Sequence, residues 1–312
     1  MNNIIITGCA GFIGSHATDI FLSEPDYRVI GVDSLTYAGD LKNISEANKN
    51  KNFKFFKLDI CETENIVSLA RDNKVTEIIN FAAETHVDNS ILSSKSFIHS
   101  NIEGVRSLLE VCRSEEIRLI HVSTDEVYGS TRSNSFVESD RLSPSNPYSA
   151  TKASAEHLIK AYENTHNVKN IIVRPANNFG PRQHREKFLP TIINSIYKGK
   201  KIPIYGNGQN IRDWLYVKDT ARVIKFLLES ELYGEIYNIS PSNEMTNLNM
   251  VKKILKKTNK DWKSSVSFVD DRLGHDFRYS ISSEKLDRIY DCSFSNFDEC
   301  LEETIDYYRF KK

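Results

Sequence analysis

The sequence predicts an α/β fold, a doubly wound parallel sheet with a smaller, interleaved C-terminal lobe. Three features support this prediction. Short apolar runs alternate with helical patterns through the first 180 residues, a glycine-rich turn follows the first apolar run, and an acidic residue ends the second. Short links between alternating strands and helices predict parallel strands joined by right-handed crossovers. In such a sheet, ligands bind beyond the carboxyl ends of the strands.

The first strand is predicted over residues 4–7, a β-branched run short enough for a buried parallel strand. Gly8, Gly11 and Gly14 follow it and open a helix over 15–22. Glycines here permit a tight turn and let the backbone approach a pyrophosphate at the helix N-terminus. Their spacing differs from the usual dinucleotide fingerprint, so the strand before them and the helix after them carry much of the argument.

The second strand, over residues 28–32, ends at Asp33, nineteen residues beyond Gly14. A carboxylate in this place can accept hydrogen bonds from the hydroxyls of an adenine ribose. No nearby arginine is available to hold a 2′-phosphate, so the pattern favours NAD over NADP. An ordinary loop acid or a helix cap is the alternative interpretation of Asp33.

Two more strands are predicted over residues 53–58 and 77–81, and a polar segment over 82–88 follows the second of them. The two alanines that open this segment leave room for a flat ligand, although tight helix packing explains them equally well. His86 is expected to be a positioning group rather than a catalytic base. The apolar stripe of a helix over 97–114 belongs either to the core or to an intersubunit face.

The stretch from residue 119 to residue 156 carries the groups best suited to catalysis. An apolar strand ends in Thr124, Asp125 and Glu126, which places a hydroxyl and two carboxyls at a strand mouth. Tyr148 and Lys152 are spaced i, i+4 and share a helix face. Because a cation favours phenolate, we expect Lys152 to lower the pKa of Tyr148 toward neutrality and make it a usable base. Such a pair also arises by chance on surface helices.

A further apolar strand is predicted over residues 170–173, and the regular alternation of strands and helices weakens beyond residue 180. We therefore expect a Rossmann-like NAD-binding domain over residues 1–180. Residues 181–312 should mainly form a smaller second lobe, with some segments returning to the first domain.

The segment 205–214 resembles a hairpin that delivers Arg212 beside an aromatic strand. An arginine suits a diphosphate because its planar fork can hold two oxygens at once. A surface ion pair with Asp213 is the alternative. A later polar loop over 271–276 adds a second candidate arginine, Arg272.

Composition excludes several classes of function. The 41 basic and 42 acidic side chains give a net charge of −1, which argues against nucleic acid or an anionic membrane as the main partner. The five cysteines are an odd number without a C-x-x-C pair, so neither a disulfide framework nor a structural metal site is expected. No basic leader and no apolar run of ~20 residues is present, so we expect a cytoplasmic protein.

On these residues the chain resembles the extended short-chain dehydrogenase/reductases, and within them it is similar to the nucleotide-sugar 4,6-dehydratases of the dTDP-glucose type. The glycine turn and the Tyr148/Lys152 pair are general features of that superfamily. Thr124-Asp125-Glu126 is more specific, because epimerases and decarboxylases of the superfamily usually lack the adjacent acids. The likeness covers almost the entire length, with further matches over residues 35–39, 82–88, 177–178, 186–188, 212–214, 247 and 271–276.

The resemblance implies a mechanism. Tyr148, helped by Lys152 and with Thr124 holding the hydroxyl, takes the proton from the 4-OH of glucose while hydride passes to NAD. Glu126 then removes the acidified carbon 5 proton, and Asp125 protonates the departing carbon 6 hydroxyl. Hydride returns to carbon 6, which gives a 4-keto-6-deoxy sugar of the kind that leads to rhamnose and other deoxyhexoses. The division of roles between the two acids comes from the resemblance.

The resemblance also implies the binding residues, and no metal. The residues expected to contact NAD are Gly8, Gly11, Phe12, Ile13, Gly14, Asp33, Leu35, Thr36, Gly39, Asp59, Ile60, Ala82, Ala83, Tyr148 and Lys152. Those expected to contact the nucleoside-diphosphate glucose are His86, Thr124, Asn177, Asn178, Lys187, Phe188, Pro203, Tyr205, Arg212, Asn247, Arg272 and His275. A homodimer is implied, through a four-helix bundle formed by helices over 97–114 and 149–165.

Four positions depart from the pattern of these relatives: Cys9, Asn89, Leu273 and Phe277. The last three fall in or near regions associated with sugar-nucleotide binding, so they bear on the choice of base and sugar more than on the reaction. A UDP-glucose 4,6-dehydratase and a sugar-nucleotide 4-epimerase or decarboxylase remain alternatives. A non-catalytic NAD-binding regulator is a further one, although it would need none of the acid/base groups.

Overall fold

A seven-stranded parallel sheet forms the centre of the structure, a computed structural model that describes residues 1–271, 274–291 and 293–310. The strand order is β10-β6-β5-β4-β1-β2-β3. The strands are β1 (Asn2–Thr7), β2 (Tyr27–Asp33), β3 (Phe53–Lys57), β4 (Glu77–Asn80), β5 (Arg118–Val122), β6 (Asn170–Pro175) and β10 (Glu235–Ile239). The chain winds outward in both directions from β1, so the switch point lies between β1 and β4. The predicted fold class is confirmed.

Both faces of this sheet are covered, which explains its nearly continuous apolar strands. Ile4 and Ile6 of β1 belong to one hydrophobic cluster, which includes Phe21, while Ile5 belongs to a second, which includes Leu108. All three isoleucines are fully buried. Because successive side chains alternate between faces, a single strand contributes to both cores.

The helices cover these faces and extend into the second lobe. They are α1 (Phe12–Leu22), α2 (Thr63–Asp72), α3 (Val87–Leu92), α4 (Lys95–Phe97), α5 (Gly104–Glu115), α6 (Pro147–His166), α7 (Phe188–Tyr197), α8 (Val217–Ser230), α9 (Asn247–Lys257), α10 (Trp262–Ser265), α11 (Glu284–Asp287) and α12 (Phe297–Phe310). Short 3₁₀ turns cover Leu41–Ile44, Ala47–Lys49 and Asp125–Tyr128. None of the helices within the described ranges is long and apolar enough to cross a membrane.

The helix expected over residues 97–114 is interrupted. A π-helical segment, Ile98–Glu103, separates α4 from α5. Its buried Asn101 bonds two neighbouring elements through its side chain. The wider turn therefore satisfies tertiary hydrogen bonds that helical periodicity alone could not reveal.

Smaller sheets build the second lobe. One contains β7 (Asn177–Phe179), β9 (Ile211–Tyr216) and β11 (Glu244–Thr246), and the other pairs β8 (Ile202–Tyr205) with β12 (Val266–Val269). The expected hairpin over 205–214 is therefore wrong, because β8 and β9 pair with other strands. Ile202 and Ile204 are buried in the lobe core, so packing against β12 and α7 overrides the local turn signal.

Two later elements return to the main sheet. Strand β10 pairs with β6, and α8 packs against α1 on one sheet face. The two parts of the chain are therefore interleaved in space. The division at residue 180 stays a prediction.

Candidate functional site

The glycine turn lies at the switch point between β1 and β4. Gly8 has φ +66°, and a side chain there would place its Cβ 2.7 Å from the backbone nitrogen of Ala82. A side chain on Gly14 would overlap the Gly8 carbonyl. Gly11 is the N-cap of α1, so the turn presents a helix N-terminus next to an open groove. Neighbouring Cys9 keeps a negative φ, so its side chain is tolerated.

Asp33 ends β2 in the same groove. Its carboxylate accepts hydrogen bonds from the backbone nitrogens of Ala10 at 3.0 Å and Leu35 at 2.8 Å. Burial raises the pKa of Asp33, while these two bonds act in the opposite direction. Leu35 has φ +57°, a strained conformation for a leucine, and its strained turn supplies one of the two donors. The carboxylate is therefore held in one orientation at the groove, and its contact with a ribose stays a prediction.

The groove gathers most of the expected cofactor contacts. The predicted residues that line it are Gly8, Gly11, Asp33, Thr36, Gly39, Asp59, Ile60, Ala82 and Ala83. Phe12 and Ile13 lie elsewhere, because their side chains pack against the core of the second lobe. A Cβ atom at Gly8 or Gly14 would fill the turn, so these glycines leave the space that a dinucleotide needs.

Asp59 has a local partner at the outer end of this groove. The His99 ring lies 3.0 Å from its carboxylate, and the Cys61 sulfur lies 3.8 Å from the other nitrogen of that ring. These three residues form the group of possible metal ligands in the described part of the chain. Because both ring nitrogens already have partners, we interpret the group as a hydrogen-bonded cluster.

Asn101 is a site residue that the sequence interpretation missed. Its side chain is bonded to both backbone groups of Glu84, at 2.9 and 3.0 Å, and donates to the Thr151 hydroxyl of α6 at 2.9 Å. It therefore fixes the polar segment after β4 against the helix that carries Tyr148. In the sequence it is a single asparagine within an apolar helical stripe, and this pattern is not distinctive.

Tyr148 and Lys152 lie on α6 as expected, but their predicted electrostatic relation is wrong. The pKa of Tyr148 is raised, first by burial and then by the nearby Glu126 carboxylate, and the Thr124 hydroxyl opposes this by hydrogen bonding the phenol. The Lys152 ammonium instead donates to the Val122 carbonyl at 2.7 Å. Burial lowers the pKa of Lys152 to about 8. In this structure the Lys152 ammonium is directed to β5, and the net effect of the surroundings of Tyr148 is to raise its pKa.

The two adjacent acids occupy different environments. Asp125 is buried, and burial together with the neighbouring Glu126 charge raises its pKa to about 8. One carboxyl oxygen of Asp125 accepts a 3.2 Å hydrogen bond from Thr124, and the other has no partner among the described residues. Glu126 is half-buried and lines a second cavity. Near neutral pH the pair therefore contains one proton donor.

Tyr279 is a second residue of the site that the sequence interpretation missed. Its hydroxyl lies 3.2 Å from a Glu126 carboxylate oxygen and 2.6 Å from Asp276. The Arg212 guanidinium lies over its ring, 4.2 Å from the centroid. The separation of more than 150 residues between Glu126 and Tyr279 explains why no local pattern indicated this contact.

Arg212 is held by carbonyl groups. Its guanidinium donates to the carbonyls of Ile211 at 2.7 Å and Asp276 at 3.0 Å. Asp213 bonds Ser240 and the Asn243 nitrogen instead. The alternative of a surface ion pair between Arg212 and Asp213 is therefore excluded.

The second cavity gathers most of the expected substrate contacts. The predicted residues that line it are His86, Asn177, Asn178, Lys187, Phe188, Pro203, Tyr205, Arg212, Asn247 and His275. Thr124 does not line it but lies beside Asp125 and Tyr148. Arg272, like the departure Leu273, lies outside the described residues.

Two of these side chains are turned toward the protein. The Lys187 ammonium donates to the Thr85 carbonyl at 2.8 Å. Asn178 donates to the Ala176 carbonyl and accepts from the Thr220 hydroxyl. Asn178 therefore shapes the cavity wall through its own bonds to the protein.

A buried ion pair lies next to the carboxyl end of β5. Glu156 of α6 pairs with Arg174 of β6 and accepts a hydrogen bond from Ser123, the residue before Thr124. Arg174 also lies over the Tyr128 ring, 4.6 Å from the centroid. Because a buried ion pair is costly to break, these contacts hold β5, β6 and α6 in one arrangement.

Comparisons with known proteins agree with this geometry. Residues 5–297 match the family model described as GDP-mannose 4,6 dehydratase. The chain is 40% identical to the low-salt glycan biosynthesis protein Agl12 of Haloferax volcanii, with 98% of each chain covered. It is also 40% identical to part of a trifunctional enzyme of Arabidopsis thaliana that includes UDP-glucose 4,6-dehydratase, and covers 47% of that protein.

The structural comparison covers nearly the whole chain. The crystal structure of DesIV, a dTDP-glucose 4,6-dehydratase of Streptomyces venezuelae with NAD and TYD bound, has a TM-score of 0.95 and 37% sequence identity. The match covers 99% of this chain and 97% of that one.

Proposed function

Because this chain belongs to the GDP-mannose 4,6-dehydratase family and is an NAD-dependent nucleotide-sugar 4,6-dehydratase, we propose that it acts as a lyase on dTDP-glucose. The product is dTDP-4-keto-6-deoxy-glucose. Carbon 4 is oxidised, water is eliminated across carbons 5 and 6, and carbon 6 is then reduced.

The observation that carries this proposal is the asymmetric pair of acids. Asp125 retains a proton near neutral pH, because burial and the Glu126 charge both oppose its ionisation. Glu126 faces the cavity. Elimination needs one group to take a proton from carbon and another to give a proton to the departing hydroxyl. An epimerase or a decarboxylase has no step that needs both.

Each remaining residue has a role set by its surroundings. When bound, NAD takes hydride from carbon 4 and returns it to carbon 6. Tyr148, hydrogen-bonded by Thr124, removes the proton from the 4-hydroxyl. Glu126 removes the carbon 5 proton, which the adjacent ketone has acidified, and Asp125 protonates the carbon 6 hydroxyl as it leaves. The high pKa of Tyr148 in this structure implies that its ionisation depends on the ligands that complete the site.

The sugar nucleotide is proposed to lie in the cavity between the main sheet and the second lobe. Arg212 and Lys187 line this cavity and can balance the charge of a diphosphate. The structural relative with TM-score 0.95 is a dTDP-glucose enzyme, which favours thymine. A UDP-glucose substrate is the second candidate, supported by the Arabidopsis relative.

Incubation with dTDP-glucose and UDP-glucose in parallel, followed by mass spectrometry of the products, tests the function. Loss of one water from dTDP-glucose supports the proposal. Preferential loss of water from UDP-glucose would show that the substrate carries uracil instead of thymine. A product of unchanged mass supports an epimerase. A third incubation, with a nucleoside-diphosphate uronic acid, tests the decarboxylase, which would release carbon dioxide. Complete lack of turnover in protein that still binds NAD supports the regulator.

Two variants separate the half-reactions. Tyr148→Phe should abolish oxidation and leave NAD binding intact, because only the hydroxyl is removed. Glu126→Gln should permit ketone formation and reduced nicotinamide should accumulate, since the carbon 5 base is lost. Normal dehydration by either variant contradicts the role given to that residue.

A homodimer completes the proposal. Helices α5 and α6 pack side by side, and the Tyr162 hydroxyl of α6 bonds Glu110 of α5, so the pair offers a continuous two-helix surface. Two such surfaces would form the proposed four-helix bundle. Sedimentation velocity should show a dimer at micromolar concentration, and a stable monomer contradicts it.

A further inference from the structure

A buried row of four polar side chains runs through the sheet to the catalytic lysine. The Thr7 hydroxyl of β1 lies 2.6 Å from the Asn80 amide of β4, whose other end lies 3.0 Å from Nδ1 of His121 on β5. Nε2 of His121 then lies 3.3 Å from the Lys152 ammonium. None of the four residues is more than 2% exposed. The row is therefore shielded from bulk water.

His121 is the residue in this row whose donor and acceptor nitrogens exchange when its tautomer changes. Burial and the Lys152 charge lower the pKa of His121 well below its usual range, so the ring is neutral and carries one proton. That proton lies either on Nδ1 or on Nε2. The tautomer decides which nitrogen offers a lone pair to Lys152 or to Asn80.

Two complete hydrogen-bond arrangements follow. A protonated Lys152 has only donors, so Nε2 must accept, Nδ1 carries the proton, and Asn80 must turn its carbonyl oxygen toward Nδ1. A neutral Lys152 can accept from Nε2–H, and Asn80 then donates its amide proton to Nδ1 and accepts from Thr7. The second arrangement corresponds to the amide orientation in the structure.

We propose that His121 is a positioning residue that keeps Lys152 hydrogen-bonded in both of its protonation states by exchanging tautomer together with a reorientation of Asn80. This inference rests on the proposed function for its role in catalysis. A carbonyl such as that of Val122 can partner Lys152 only as an acceptor. His121 thus removes the penalty of leaving a buried amine unpaired when its proton moves.

The groups that surround Lys152 do not offer an equivalent partner. On its own helix, Tyr148 is bonded by Thr124 and Glu156 is paired with Arg174 of β6. On β5 its contacts are His121 and the Val122 carbonyl. An ammonium has three N–H groups, so these two contacts leave one for the cofactor or for Tyr148. With one N–H group held by His121 and another by the Val122 carbonyl, the direction of the third is set.

Nuclear magnetic resonance of protein labelled in histidine and lysine tests the proposal without substrate. As Lys152 titrates, the nitrogen shifts of His121 should change from the Nδ1–H to the Nε2–H tautomer, while the ring stays neutral. In Lys152→Met the tautomer should no longer depend on pH. A single tautomer throughout the Lys152 titration, or protonation of the ring, overturns the proposal.

Variants give a second, kinetic readout. His121→Phe removes the side-chain partner of Lys152. The rate of formation of reduced nicotinamide should then decline at a lower alkaline pH, with the midpoint of the decline shifted down by about one unit. At a fixed alkaline pH this corresponds to a roughly tenfold lower rate. His121→Gln, whose amide can also donate or accept, should restore the wild-type profile. The surface variant His166→Phe is the matched control and should leave the profile unchanged.

An unchanged profile in folded His121→Phe, or a failure of glutamine to restore it, contradicts the proposal. If no sugar nucleotide is turned over but the tautomer exchange is observed, the proposed function fails and this inference about the row of four residues stands.

Discussion

Asp125 and Glu126 are neighbours in the chain, yet the fold gives them different protonation behaviour. The 3₁₀ turn Asp125–Tyr128 directs Asp125 into the protein and leaves Glu126 half-buried at the cavity. Two carboxylates so close together do not both ionise readily, and the more buried one keeps its proton. Local backbone geometry at the end of β5 therefore gives consecutive carboxyl groups the different surroundings that the proposed acid and base roles need.

The first prediction concerns Asp125. Because the proposed role of Asp125 requires its acid form, the decay of reduced nicotinamide should slow as pH rises through about 8, and formation should not depend on this group. Asp125→Asn should slow the decay ~100-fold and remove this pH dependence. Stopped-flow absorbance of reduced nicotinamide measures both phases, with the exposed Asp72→Asn as control. Retention of the alkaline limb in the variant would contradict the role of Asp125 as acid.

A second prediction separates the hydroxyl of Tyr279 from its ring. Tyr279→Phe keeps the surface under Arg212 but loses the contact with Glu126, so the carboxylate is less well oriented. The decay of reduced nicotinamide should slow about tenfold with little change in KM. Tyr279→Leu should also raise KM, since it removes the aromatic face beneath Arg212. Equal kinetics for phenylalanine and tyrosine would show that the hydroxyl has no role.

The π-helical segment Ile98–Glu103 shows how tertiary contacts modify a single element. Residues on both sides of it continue a helix, and the apolar stripe predicted one uninterrupted element. The local widening places the Asn101 amide within reach of Glu84 and Thr151 at once. This helix is therefore shaped by the groove it supports, which agrees with the frequent occurrence of π turns at functional sites.

Replacement of that amide tests the element. Asn101→Ala removes the side-chain partner of both backbone groups of the half-buried Glu84, so unfolding free energy should fall by about 2–3 kcal/mol. The affinity for NAD should fall as well, because residues 82–84 line the groove. Urea denaturation and NAD titration measure the two effects, and exposed Asn65→Ala is the control. A stable variant with normal NAD affinity would contradict this role of the segment.

At the scale of the whole molecule, sequence reasoning succeeded where periodicity and position in the chain carry the information. Six strands of the main sheet and the glycine turn follow from apolar runs and their spacing, since both sheet faces are buried. Strand β10 was not predicted, because five residues in an irregular region cannot be distinguished by pattern. The incorrect hairpin and the missed Tyr279 have a common cause, since both depend on pairing between distant segments.

The joint between the main sheet and the second lobe is itself sensitive to pH. His16 of α1 is buried, and its Nε2 lies 3.0 Å from the carbonyl of Pro181, where the chain enters that lobe. The adjacent Arg182 pairs with Asp19 of the same helix at 2.7 Å. Burial is the main cause that lowers the pKa of His16 from 6.5 to about 4, and the charges of Arg182 and Lys218 add to it. The folded protein thus requires neutral imidazole here.

The last prediction follows from the sign of this shift. Between pH 6.5 and 4, His16 is protonated in the unfolded chain but stays neutral in the folded protein. The contribution of neutral His16 to the free energy of unfolding is therefore complete above pH 6.5 and is lost as pH falls toward 4. A displacement of this size corresponds to about 3 kcal/mol. Denaturant unfolding across this range should show a shallower loss for His16→Gln, which keeps a donor for Pro181 but cannot be protonated. His166→Gln, at the surface, should match the wild-type slope. If His16→Gln matches it too, the joint does not exclude the proton, and the acid sensitivity of the molecule arises from other groups.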